Sequence, residues 1–233
     1  MSSLRSFGES IWTVEGPIVR DMRAWFATRM TVVKLSDGSI WIESPVPVSD
    51  DTVEEISELG PVKYLVSATM RHVWRLDNAR RQFPDAQLWV CRRTRMTLQH
   101  GELPIKGILT DTPPPDWADD FEQLEFKGNP LLSEVLFYHN KSRTVIMGDL
   151  IQSNKKIKGK PLSNFIFRLG GVLYPKGGVG RDIRMSFKDR DLARQSLETL
   201  LSWDFDKLII AHGDCIETDA KSFVEEKFQW LTH

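Results

Sequence analysis

Short runs of β-branched and aromatic residues alternate along this chain with amphipathic helical stretches, and that alternation narrows the fold more than any other feature. A sheet built from such runs has an apolar face that must be covered, so strands interrupted by helices imply a layered α/β sandwich. Ile11–Val14, Met30–Leu35 and Ser39–Ile42 read as strands, and Asp37-Gly38 turns the last two into a β-hairpin. Ser49-Asp50-Asp51 precedes TVEEISEL, and Gly60 follows it. An acidic, hydroxyl-bearing cap, apolar Val53, Ile56 and Leu59, and a glycine stop predict a short amphipathic helix. Lys63–Val66, Val73–Gln82 and Gln87–Val90 read as strand, helix and strand. The proline-rich stretch from Leu103 to Trp117 reads as a surface loop, and two or three strands follow, over Phe121–Phe126, Glu134–His139 and Thr144–Met147. Residues 151–183 are basic and punctuated by glycine, which predicts a short helix around Phe165–Leu169 between long loops. Ser186 and Asp189 resemble a capping box ahead of Leu192, Leu197, Leu200 and Leu201. Lys207–Ala211 is then a strand and Thr218–Trp230 a closing helix.

A chain of 233 residues can bury one sizeable core, so residues 1–233 are expected to form a single domain. With 31 Lys+Arg against 32 Asp+Glu, the net charge of −1 gives no overall field toward polyanions. No nucleic-acid or membrane partner is expected on that ground. The clusters Arg92-Arg93-Thr94-Arg95 and Lys155-Lys156-Ile157-Lys158 read as solvated surface. The two cysteines, Cys91 and Cys215, each sit beside an apolar run, which predicts buried thiols in a reducing compartment rather than a disulfide or a cysteine zinc site. The first residues lack an apolar core of signal-peptide length, and no stretch approaches the ~20 apolar residues of a membrane span. A cytoplasmic protein is expected.

Three apolar runs end in residues suited to a site. Val66 leads into Ser67-Ala68-Thr69-Met70-Arg71-His72, Met147 into Gly148-Asp149, and Ala211 into His212-Gly213. Open sheets present ligands and catalytic groups at strand ends. In order and spacing, from about residue 7 to 216, these stretches resemble the metallo-β-lactamase fold superfamily. The signature there is His-x-His-x-Asp-His after a strand, then a histidine, then Gly-Asp, then histidine-glycine. "TRMTVVKLSDGSIWIESPVPVS" and "WDFDKLIIAHGD" are similar to a poorly characterised, β-lactamase-like branch described as a domain of unknown function. The resemblance implies a four-layer αββα sandwich.

Carried over position by position, the resemblance keeps His72, Asp149 and His212 as metal ligands. Ser67 and Thr69 stand at the first two histidines, Arg71 at the aspartate, and Asn129 at the middle histidine. The three lost histidines would belong to one metal and the retained residues, with the aspartate replaced by Arg71, to the other. Hydroxyls and a carboxamide are poor zinc ligands, so the first metal site is not expected. Two readings of the second remain open, and the lost ligands favour the first of them. In one, Arg71 pairs with Asp149 where the metal would be, and a metal-free protein binds a small molecule or a protein partner in the old cleft. In the other, one zinc or iron ion on His72, Asp149 and His212 serves a hydrolase, with Arg71 orienting an anionic substrate group. His100 and His139 read as solvated or hydrogen-bonded histidines, and Glu134 reads as a surface residue rather than a general base. The glycines at 170–171 and 177–180 read as flexible loop, since no Lys-Ser/Thr follows them. Trp25 and Trp74 flank the motif regions and are candidates for pocket lining.

Overall fold

The computed structural model describes residues 3–21, 23–94 and 103–232, the side chain of Trp74 excepted. Its described strands form two sheets. The first runs in spatial order β1 (Arg5–Gly8), β2 (Ile11–Asp21), β3 (Ala24–Lys34), β4 (Ile40–Glu43), β5 (Val62–Ser67), β6 (Gln87–Val90) and β7 (Ile105–Ile108). It is antiparallel from β1 to β4 and parallel from β4 to β7. The second contains β8 (Phe121–Glu125), β9 (Val135–His139), β10 (Thr144–Met147) and β11 (Lys207–Ile210), in the order β11-β10-β9-β8. Only its β10–β11 pair is parallel.

Alternation along these strands builds the layers, because successive side chains leave a strand on opposite faces. Tyr64 and Val66 of β5, Trp41 of β4, Val135 and Phe137 of β9, Ile146 of β10 and Ile209 of β11 share the core between the sheets. Trp41 is fully buried there, its ring 4.7 Å from Phe121 and 4.9 Å from Phe137. Ile40, Ile42 and Leu65 face the opposite way, against Ile56 of α1 (Asp50–Leu59) and Leu76 and Ala79 of α2 (Leu76–Gln82). Leu136, Val145, Met147, Leu208 and Ile210 face the other helical layer. That layer holds α5 (Arg190–Ser202) and α6 (Ala220–Thr232), with Leu197, Leu200, Val224 and Phe228 packed inward. Two further helices, α3 (Pro161–Gly170) and α4 (Arg181–Ser186), lie in the basic segment. The architecture is the αββα sandwich, and no helix of the described residues is long and apolar enough to cross a membrane.

Local chemistry accounts for most boundaries. Ser49 caps α1 by accepting from the Thr52 amide, and Asp189 caps α5 by accepting from Leu192. Ser186 takes no part in that cap; its hydroxyl donates to the Ile183 carbonyl. The expected helix from Val73 divides into a 3-10 turn, His72–Arg75, and α2. Three differences concern the first sheet. β1 carries no readable alternation. The strands β2 and β3 run on to Asp21 and back from Ala24, past polar Glu15, Arg20 and Arg29 and a bulge between Gly16 and Val19 that breaks the apolar period. The stretch read as loop contains β7, a four-residue edge strand held by β6, where Gly107 lies against the Trp89 ring.

Candidate metal centre

The parallel pairing of β10 with β11 sets Met147 beside Ile210, so Gly148-Asp149 and Ala211-His212 emerge together at one end of the second sheet. The first sheet reaches the same end through β5. Thr69 bridges Glu134, and the Val135 amide donates to the Ala68 carbonyl at 2.9 Å. The 3-10 turn that follows delivers His72. Gly213 is required at this junction. Its φ is +111°, and a Cβ there would stand 1.9 Å from the Ser153 carbonyl oxygen.

His72, Asp149 and His212 converge. The two Nε2 atoms are 3.3 Å apart, His212 Nε2 is 3.3 Å from Asp149 Oδ1, and His72 Nε2 is 3.7 Å from it. A tetrahedral ion with bonds of about 2.0–2.1 Å has ligand atoms roughly 3.3–3.4 Å apart, so this triangle is close to one face of such a tetrahedron. The outward nitrogens are held by the surrounding chain. His212 Nδ1 lies 2.7 Å from the Ala27 carbonyl, which only accepts, so Nδ1 carries a proton and Nε2 is the nitrogen turned toward the cluster. The Ser44 hydroxyl lies between Glu43, to which it donates, and His72 Nδ1 at 2.5 Å. Ser44 is held at φ +52°, a conformation uncommon for a serine, and this places its hydroxyl between Glu43 and His72. Two imidazole Nε2 atoms and a carboxylate oxygen therefore meet in one small space.

The surroundings shift the charge states of the cluster. Burial lowers the His72 pKa to about 4, against the opposing pull of Asp149. Burial opposes the Asp149 charge, but the attraction of His72 and His212, which acts when a ring is protonated, and the Thr69 hydroxyl outweigh it and hold the carboxyl below the usual carboxylate range. Thr69 donates to Asp149 Oδ2 at 2.6 Å, leaving Oδ1 for the triangle. Glu43 and Glu134 are both buried, and desolvation, with the Asp149 charge adding to it, pushes each up to about 8.

Glu134 corrects the sequence reading. It is 1% exposed, and its carboxyl accepts from the Gly148 amide at 2.7 Å and the Asp149 amide at 2.9 Å, locking the turn that carries Asp149. A strand start is commonly surface, but here β9 begins under the other sheet. Glu43 and Ser44 were not singled out from sequence, although a glutamate ending the apolar run of β4 was the available signal.

Arg71 also departs from expectation. Its guanidinium bridges Asp21 at 3.4 Å, with both side chains nearly half exposed, and not Asp149. Asp21 lies at the tip of the long β2–β3 hairpin, which the broken apolar period hid. Arg71→Ala is therefore expected to shift stability by no more than about 1 kcal/mol, as for other exposed ion pairs. A loss of several kcal/mol in urea unfolding would mean that the arginine neutralises a buried carboxylate after all.

Arg71 lines a cleft of about 550 Å³, open solvent included, with His72, Asp149 and His212, the apolar Val19 and Phe26, and the cations Arg29 and Arg75. Arg29 is committed to structure, donating to Glu15 and to the carbonyls of Ile210 and Gly213. Asn129 lies elsewhere; it accepts from the Leu131 and Leu132 amides and donates to Ser186. The Ser67 hydroxyl donates to the Thr69 carbonyl, and His139 is buried against Ser142. Trp25 is absent from the cleft lining and sits under the Lys160 ammonium. His100 and Arg95 lie outside the described residues. Cys91 is buried, Cys215 partly so, and both are free thiols.

Two sheets between helical layers, with this cluster at their shared end, define a metallo-β-lactamase fold. Solved structures agree. The chain resembles a metallo-β-lactamase from Pontibacter korlensis with a TM-score of 0.64 at 12% identity, covering 98% of this chain and 99% of that one. It resembles DIM-1 metallo-β-lactamase with a TM-score of 0.61 at 16% identity, covering 99% and 93%. The metal-soaked Flv1 flavodiiron core from Synechocystis sp. PCC6803 gives 0.64 at 9% identity; 98% of this chain is covered but only 60% of that core. At such identities the likeness is one of fold. A family model described as "Domain of unknown function (DUF4336)" matches residues 9–159, and the chain belongs to that family. No curated protein matches it.

Proposed function

We propose that the protein is a mononuclear metal-dependent hydrolase in which His72, Asp149 and His212 hold one zinc or ferrous ion. The observation that carries this reading is the convergence of two imidazole Nε2 atoms and a carboxylate oxygen at 3.3–3.7 Å. Without a metal ion, a proton on one of the two Nε2 atoms would be needed to keep these atoms from repelling one another in a buried site. Two imidazoles and a carboxylate suit either ion and leave positions open. An ion held there would lower the pKa of a water molecule and polarise a substrate carbonyl or phosphoryl oxygen.

The chain's own residues supply the rest. Ala27 and Ser44 orient the two imidazoles, Thr69 and Glu134 fix Asp149, and Val19 and Phe26 exclude water from one wall. Arg71 at the cleft mouth, paired with Asp21, and the buried Arg75 are the cations that could meet an anionic substrate group. Ser44→Ala should weaken metal affinity by about 10–100-fold, the usual effect of losing an orienting contact to a ligating histidine. Equilibrium dialysis against zinc would measure it. The function itself is tested by elemental analysis of protein purified without chelator, followed by a screen of esters, lactones and phosphodiesters. Near-stoichiometric metal with chelator-sensitive turnover is expected. Failure to take up zinc or ferrous iron after incubation would overturn the reading and favour a metal-free binding protein.

A further inference from the structure

We propose that α3 and the basic segment around it dock the protein on a bilayer surface rich in anionic phospholipid. This goes beyond the hydrolytic reading and does not rest on it. Leu162, Phe165 and Leu169 are 62%, 57% and 53% exposed. Their spacing of three and four residues places them on one face of α3, while Ser163 and Phe167 bury the other. Tyr174 and Met185 extend the run of exposed large apolar side chains, so five of the eight such residues among the described ones fall between 162 and 185.

The same segment carries the charge. Between residues 155 and 184 there are eight lysines and arginines and one acid, Asp182, in a chain whose net charge is −1. Lys156, Lys158, Arg168, Lys176 and Arg181 are exposed and make no ion pair among the described residues. At the C-terminal end of α3, Lys176, Arg181, Arg184 and Lys227 line a cavity whose one acidic wall residue is Glu226.

An apolar ridge flanked by cations matches the boundary between acyl chains and anionic headgroups. Nucleic acid would use the cations but has no place for three aliphatic and aromatic side chains at helical spacing. The opposite, buried face of α3 reaches toward the cleft: Phe167 packs 5.1 Å from Phe26, and Phe26 lies 5.3 Å from the His212 ring.

The experiment is co-sedimentation of the full chain with phosphatidylcholine vesicles containing roughly one-third phosphatidylserine, against vesicles of phosphatidylcholine alone. Binding to the anionic vesicles only, released by added salt, is expected. Phe165→Ser with Leu169→Ser, and separately Lys156→Glu with Lys158→Glu, should each weaken it by roughly tenfold or more, since one basic residue near such a surface contributes about fivefold. All four positions are exposed or flank α3, and circular dichroism will establish that each variant is folded. Absence of wild-type sedimentation overturns the proposal. So does loss of binding in the lysine variant alone, with duplex DNA or inorganic phosphate competing at equal ionic strength, which would indicate a polyanion site instead.

Discussion

His212→Ala should abolish stoichiometric metal binding while the fold persists. The imidazole supplies one of three donor atoms, so its loss should weaken zinc affinity by more than the 10–100-fold typical of an outer contact. The structural cost is small by comparison. His212 gives up one hydrogen bond to the Ala27 carbonyl, about 1 kcal/mol, and its ring contact with Phe26. Calorimetric titration with zinc, paired with a thermal melt, separates the two effects. Retained affinity would place any ion elsewhere; a collapsed melt would make His212 a structural residue.

Glu134→Ala should be the most destabilising single change in the site, at about 3–5 kcal/mol. Two buried amides, of Gly148 and Asp149, would lose their acceptor, each at about 1–3 kcal/mol, and the truncated side chain would leave a void beneath the turn. Glu134→Gln keeps one carbonyl oxygen and the volume, so it should cost about half as much. Because the same turn aims Asp149, metal affinity in Glu134→Gln should fall together with stability. Urea unfolding midpoints for the two variants test the order. A neutral alanine variant would show that the turn holds itself without the carboxyl.

The cluster was legible in the chain because the resemblance singled out its members and each comes within a few residues of a strand end: His72 after β5, Asp149 after β10 and His212 after β11. Its supports were not. Ser44 and Ala27 touch His72 and His212 from 28 and 185 residues away, and no local pattern encodes such contacts. Arg71 illustrates the opposite error. Its place at the aspartate of the resembled motif suggested a pair with Asp149, but the backbone entering the 3-10 turn carries its side chain to an aspartate on a hairpin whose full length sequence periodicity did not reveal. β7 and Glu134 were misread for a related reason. A four-residue edge strand and a strand-end glutamate acquire their character from what packs over them.

Local sequence by itself determined the layers. Alternation in β4, β5, β9, β10 and β11, the Ser49 and Asp189 caps and the glycine at 213 are dictated by backbone period, orphan amides and steric room, all properties of a few neighbouring residues. Only the tertiary structure decided the chemistry of the cluster. Whether His72 is neutral, whether Asp149 faces an arginine or a pair of imidazoles, and whether Glu134 is solvated all depend on burial and on distances of 3–4 Å between strands of two different sheets. Those are electrostatic quantities that fall off steeply with separation and desolvation, and the linear order of residues does not contain them.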